Sequence, residues 1–248
     1  MTTGLDLEIA KGAVGGFAVV NKFGRVLDLD DTDDETVIWP GGLKMPELTL
    51  ATVVSIVSSS PGDHSSGQGL KTMRIFGLNS TFALQQEDIT LTGATAVLTT
   101  KKYMSLYRAY GLTGGTDGNF EGASGNISLV ATDTSATMAY LVAGDGQTHQ
   151  AFYQIPFEKT GYLLQYYASV NRKQTTGAVD ILIRQREDGG VWRDIHTRGV
   201  QVAGSNTLAH TFSPPIKLNA KTKVKACAIS TVINSDISAG FDILLIDD

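Results

Sequence analysis

Residues 161–170 read GYLLQYYASV, and the alternation within them decides the fold class. Tyr162, Leu164, Tyr166, Ala168 and Val170 recur at every second position, with Gln165, Ser169 and then Asn171 on the other side. That period belongs to a strand with one buried face. It continues in VDILIRQRE, where Val179, Ile181 and Ile183 alternate with Asp180, Leu182 and Arg184. Asp188-Gly189-Gly190 follows, and consecutive residues tolerant of positive φ are what a tight hairpin turn requires before VWRDIHTR resumes the pattern.

Working outward, strands are expected at 70–78, 87–93, 101–112, 125–131, 139–144, 207–212, 223–230 and 240–246. Gly, Ser, Asn and Asp punctuate them, leaving little room for helices. The predicted fold is all-β, with two β-sandwich or jelly-roll-like units preceded by an extended N-terminal arm. The pattern starts afresh after Gly144-Asp145-Gly146-Gln147, which divides a unit at 51–147 from one at 148–248, and Gly114 to Asn119 marks an exposed loop. Residues 1–50 differ in texture: GAVGGF, NKFGRV, the acidic run DLDDTDDE and VIWPGGLKMP are rich in glycine, proline and clustered charge. Such a segment reads as an arm that orders against a neighbour.

Composition removes several function classes. A chain of 248 residues can bury enough surface for one large β-domain or two of about 100 residues. Cys227 is the only cysteine, which excludes an intramolecular disulfide and a cysteine-based zinc cluster. Between Ala226 and Ala228 it reads as a small buried residue. The formal net charge of −5 provides no attraction for a phosphate backbone, so no nucleic-acid partner is expected. No run approaches the roughly 18 apolar residues of a spanning helix, so no membrane partner is expected either. Asp6 and Glu8 stand where a signal peptide would be cationic, which points to synthesis in a cytoplasm without such a peptide.

Candidate chemistry fails on spacing. The acidic run would need glycine where Asp33 stands and glutamate where Trp39 stands to match a helix-loop-helix calcium site. His64, His149, His196 and His210 never fall two or four residues apart, as a shared metal would ask. Asp63, His64 and Ser65 are adjacent and cannot converge as a triad. No catalytic residue, metal or cofactor is therefore expected. Tyr107, Tyr110, Tyr167 and Trp192 are read as surface or interface aromatics that could stack on a sugar ring, which leaves a glycan as one class of partner.

The pair NKFGRVLDLDD at 21–31 and VIWPGG at 37–42, with GDGQT at 144–148, IPFEKTGYL at 155–163 and SAGFDILLIDD at 238–248, resembles a family of structural proteins of tailed, often marine, bacteriophages. The resemblance implies location in the virion, many copies and no catalysis. Its implied partners are other virion proteins, either the major capsid protein or neck and tail proteins, and further copies of the chain, with a trimer preferred. Within the arm, Asn21, Lys22, Phe23, Gly24, Arg25 and Trp39 are the expected docking residues. A capsid-associated decoration or cement role ranks above a neck, tail or fibre role, because a long fibre would carry repeats.

Overall fold

The computed structural model describes residues 4–42, 44–116, 122–172, 177–201 and 205–248. A short helix α1 (Gly4–Ala10) precedes β1 (Phe17–Leu29) and β2 (Thr36–Val37). Next come β3 (Thr52–Ser58), β4 (Leu70–Leu78), β5 (Leu84–Thr90), β6 (Val97–Tyr103), β7 (Ser105–Gly114), β8 (Ile127–Ala131) and β9 (Thr137–Leu141). The chain closes with β10 (Phe152–Gln154), β11 (Lys159–Arg172), β12 (Ala178–Arg186), β13 (Arg193–Gln201), β14 (Ser205–Leu218), β15 (Lys223–Ser230) and β16 (Ser235–Asp247). The protein is all-β and forms two units, Trp39–Gln150 and a discontinuous one made of Met1–Ile38 with Ala151–Asp248.

In the discontinuous unit one antiparallel sheet runs β1-β16-β11-β14 and a second runs β10-β15-β12-β13, with β2 beside β15. Along β16, Ile237, Ala239, Phe241, Ile243 and Leu245 are buried while Asp236, Ser238, Asp242, Leu244 and Ile246 are partly exposed. Val179, Ile181 and Ile183 of β12 and Val224, Ala226 and Ala228 of β15 supply the buried face of the other sheet. Two such faces packed together make a sandwich. The hairpin at Asp188-Gly189-Gly190 forms between β12 and β13, with Gly189 at φ +72° and Gly190 N–H donating to Glu187 O at 2.9 Å.

The phase of β11 departs from strict alternation. Leu163 lies opposite Ile243 and Gln165 opposite Asp242, so Leu164 is an extra residue in a bulge. Upstream of it the faces exchange: Leu163 is buried with Tyr166, Ala168 and Val170, whereas Tyr162, expected on that face, is partly exposed.

The expected arm needs a larger correction. Residues 17–29 form β1, registered on β16 from Phe17 opposite Ile246 to Leu29 opposite Ser235. The strand escaped the reading of the sequence because its pattern is inverted. Lys22 and Gly24 face inward and are buried, whereas Val19 and Leu27 are each 53% exposed. The acidic run is likewise folded onto its own unit. Glu35 ion-pairs with Arg184 and, at 3.1 Å, with Lys225, and Asp30 Oδ1 accepts from Asn234 N–H at 2.9 Å.

The other unit has sheets β6-β3-β8-β9 and β5-β4-β7 around Val54, Ile56, Met73, Ile75, Tyr103, Ile127, Leu129 and Leu141. Residues 101–112, expected as one strand, break at Met104, whose N–H donates to Leu78 O at 2.8 Å as the chain passes from one sheet to the other. The β4–β5 turn is held by Asn79 Oδ1, which accepts from Thr81 N–H, Thr81 Oγ1 and Ala83 N–H at 2.8–3.0 Å. Of the loop expected from Gly114 to Asn119, residues 117–119 lie outside the described residues.

No backbone ladder joins β5 to β6 among the described residues, and a side chain closes that edge instead. Glu87 Oε1 accepts from Thr100 N–H and Oγ1, both at 2.7 Å, and Oε2 accepts from Lys101 N–H at 3.2 Å. Replacing Glu87 with Ala is expected to cost about 1.5 kcal/mol of stability, the scale of hydrogen bonds to a charged acceptor at a half-exposed site. Urea titration of the variant reads this directly, and a midpoint unchanged from wild type refutes the closing role.

Candidate functional site

The sequence-predicted docking residues do not form one exposed face. Asn21 is exposed on the outer side of β1, where its Nδ2 donates to the Tyr167 hydroxyl at 2.8 Å and to Asp242 Oδ1 at 2.6 Å. Arg25 is exposed and Phe23 partly so, but Lys22 and Gly24 point the other way and are buried. A Cβ on Gly24 would lie 1.9 Å from Ile38 O and 2.6 Å from Ala151 N, the two atoms of a 3.1 Å hydrogen bond. Gly24 is thus the place where β1 crosses the backbone beside β2 and β10. Trp39 belongs to the other unit and is 1% exposed, with its ring lying over Gly41, where a Cβ would come within 2.3 Å of it. Gly42 follows at φ +123°, which favours glycine.

The four surface aromatics separate in the same way. Tyr107 and Tyr110 converge on the outer face of β4 and β7 around Phe76, with centroids 6.4 Å and 5.3 Å from its ring, and Phe76 was not singled out by the sequence. Alternation along β4 sets Phe76 on the face of Arg74, whose guanidinium holds Asp88 on β5 through two bonds of 2.6 and 2.7 Å. Burial pushes the Tyr107 hydroxyl up to about 12, with Arg108 opposing, so Tyr107 keeps its proton at neutral pH. Tyr167 and Trp192 lie in the discontinuous unit. Trp192 carries Lys225 Nζ 4.5 Å from its ring centre and the Arg186 guanidinium at 5.8 Å, so its face is already used by cations.

Around Lys225 the outer side of β15 is densely charged. Burial pushes the Glu35 carboxyl up, but hydrogen bonding and charge from Lys225, with Arg184, outweigh it and hold the group below the usual carboxylate range. Arg184 Nε also meets Asp194 Oδ1 at 2.6 Å. Cys227 sits fully buried beneath, and burial pushes its thiol up to about 12. A thiol so placed stays protonated and is a packing residue.

Two polar clusters were invisible in the sequence. In the first, Asp63 is fully buried and its carboxylate accepts four hydrogen bonds among the described residues. Oδ1 takes Leu70 N–H and Ser124 N–H at 2.8 Å, while Oδ2 takes Ser58 Oγ at 2.5 Å and Gly125 N–H at 2.9 Å. Its backbone oxygen accepts from Gly93 N–H at 2.7 Å. His64 Nδ1 accepts from Ser66 N–H at 3.2 Å and lies 3.4 Å from Ser65 Oγ. Both Asp63 carboxylate oxygens are bonded elsewhere and no hydrogen bond joins them to the ring among the described residues, so Asp63, His64 and Ser65 are not a triad.

The second cluster brings together two histidines far apart in sequence. The rings of His196 on β13 and His210 on β14 stack with centroids 4.2 Å apart and planes 18° apart. The Tyr166 hydroxyl lies 2.7 Å from His196 Nδ1, and Phe212 meets both rings edge-on. Stacked planes do not aim their nitrogens at a common point, so the pair is not arranged as a metal site. Among the described residues no group of three or more His, Cys, Asp or Glu side chains converges to hold a metal ion, and no helix is long and apolar enough to cross a membrane.

No protein-family model and no curated protein matches the chain. Among solved structures, it is similar to a chain of the naturally occurring empty particles of cowpea mosaic virus, at 8% identity over 83% of this chain and 85% of that one, with a TM-score of 0.24. Infectious bursal disease virus, Gt strain, matches at 10% identity over 99% and 78%, with a TM-score of 0.25. Arthrobacter globiformis isomalto-dextranase complexed with panose matches at 13% identity over 92% and 35%, with a TM-score of 0.27. Likenesses of this strength fall on virus particles and on an enzyme alike, and they carry no functional argument.

Proposed function

We propose that the chain is a non-enzymatic structural protein of a tailed-bacteriophage virion, a decoration or cement protein that adds to the outside of the head in multiple copies. The observation that carries this reading is the paired motif NKFGR and IW-x-GG. Two of its three glycines occupy positions where the fold leaves no room for a side chain, Gly24 against the Ile38 and Ala151 backbone and Gly41 against the Trp39 ring, and the third, Gly42, has a positive φ. On this reading the residues that resemble that phage family are ones this fold depends on, and a common framework is a reason to expect a common role. Disulfide-free β-units with side-chain-closed edges suit a protein that is assembled in a cytoplasm and then held on a particle.

The major capsid protein is the proposed partner, with trimers of this chain as the attaching species. Because residues 17–29 belong to a sheet, docking is assigned to the exposed outer residues of β1, Asn21 and Arg25, rather than to a free arm. A second reading, a neck or tail component or a glycan-binding adhesin, is favoured by the Phe76, Tyr107 and Tyr110 cluster. Electron microscopy of intact particles carrying a labelled copy of the protein decides between them. Label over the head supports the decoration role, label on the neck or tail transfers the assignment there, and particles without label overturn the virion reading.

A further inference from the structure

The edges of the two sheets in the discontinuous unit meet at β13 and β14, the last strands of their sheets, and no backbone ladder joins them among the described residues. Near their connection Asn206 Nδ2 donates to Gln201 O. Further along, the contact is the His196–His210 stack, backed by Tyr166 and Phe212. We propose that this stack is a proton-operated latch: acidification charges the His196 ring where it lies against His210 and parts the β13 and β14 edges of the sandwich.

The surroundings leave the charge without compensation. On β13, Arg198 shares the face of His196 and adds to its Coulombic environment, while Asp194 pairs with Arg184 on the opposite face. On β12 the residues opposite His196 and Arg198 are Ile183 and Ile181. On β14 the same face carries Leu208, His210 and Phe212, and on β11 it carries Tyr166 and Ala168. The titratable and charged groups facing His196 are thus His210, Arg198 and Tyr166, with no carboxylate among the described residues of these strands on that face. An imidazolium at His196, stacked 4.2 Å from a second imidazole and on the same face as a guanidinium, has no opposite charge to hold it there.

Burial, then His210, then Arg198 hold His196 below its ordinary imidazole value, while burial raises Tyr166 and keeps its proton available to a neutral Nδ1. The opened edge, with its imidazole returned to water, binds more protons than the closed one. Closure is therefore fully stable above about pH 6.5 and is lost progressively as pH falls below it.

Hydrogen exchange of the full chain at pH 7.5 and 5.5, corrected for intrinsic rates, tests the latch. Amides of β13 and β14 are expected to exchange up to about tenfold faster at the lower pH, the factor by which proton uptake on one imidazole of ordinary affinity favours the opened edge one pH unit below about 6.5, while β3 and β8 of the other unit hold their protection. His196→Gln, which keeps an acceptor for Tyr166, is expected to abolish the difference, and His210→Phe, which keeps the stack, to reduce it. Equal protection at both pH values in the wild type overturns the proposal, as does a full difference in His196→Gln or acceleration that extends equally to β3 and β8.

Discussion

Replacing Asp63 with Ala is expected to destabilise the Trp39–Gln150 unit by about 4 kcal/mol, the largest single loss predicted for a side chain in this protein. Asp63 is fully buried, and the hydrogen bonds it accepts come from three separate stretches of chain, around Ser58, at Leu70 and at Ser124-Gly125. Removing the carboxylate strands three backbone N–H groups in a site lined by Gly69, where even a Cβ would lie 2.4 Å from Oδ1. Each stranded donor costs about 1–3 kcal/mol, and the loop relaxes to recover part of that. Asp63→Asn is the sharper probe, since its amide nitrogen presents a second donor to Gly125 N–H. It is expected to lose roughly half as much. Denaturant unfolding, with hydrogen exchange at β3 and β8 to assign the transition to this unit, measures both. An Asp63→Ala protein within 1 kcal/mol of wild type, below the cost of even one stranded donor, shows that the loops hold themselves.

Local patterns made much of the fold legible and long-range ones did not. Val179, Ile181 and Ile183, and the turn at Gly189, were readable because a period of two and a positive-φ turn are written in neighbouring residues. A bulge such as Leu164 adds one residue without changing composition, so the alternation continues on paper while the faces exchange in space. Met104 sends one hydrophobic run into two sheets, and nothing in KKYMSLYRAYGL distinguishes that from a single long strand. Asp63 sits among Ser, Gly and His in what reads as an ordinary exposed loop, and its partners at Ser124 and Gly125 are about sixty positions away. The same holds for His196 and His210, which meet only because β13 and β14 end their respective sheets. Tyr107 and Tyr110 were identifiable as a pair, but Phe76 joins them through the pairing of β4 with β7, which single-strand periodicity does not reveal.

The N-terminal segment gives the second large effect. If residues 17–29 are a strand of the sandwich rather than a free arm, Gly24→Val destabilises the whole discontinuous unit, whereas a free arm tolerates it. The wild-type crossing admits no Cβ, because the atoms it would strike, Ile38 O and Ala151 N, are backbone and are bonded to each other. That bond continues a short network in which Ile38 N–H donates to Ala226 O and Ala226 N–H to Ala151 O, so it cannot yield without loosening β15 as well. A clash with fixed backbone lies at the upper end of overpacking costs, about 3 kcal/mol or more. Gly15 supplies the control. It precedes β1, is exposed and has no atom within 4 Å of where a Cβ would sit, so Gly15→Ala should change stability by less than about 0.5 kcal/mol. Equal stability of the two variants returns residues 17–29 to the status of an arm. A gap of several kcal/mol explains why a glycine stands inside NKFGR: it lets β1 lie across the edge of the opposite sheet and close the sandwich there.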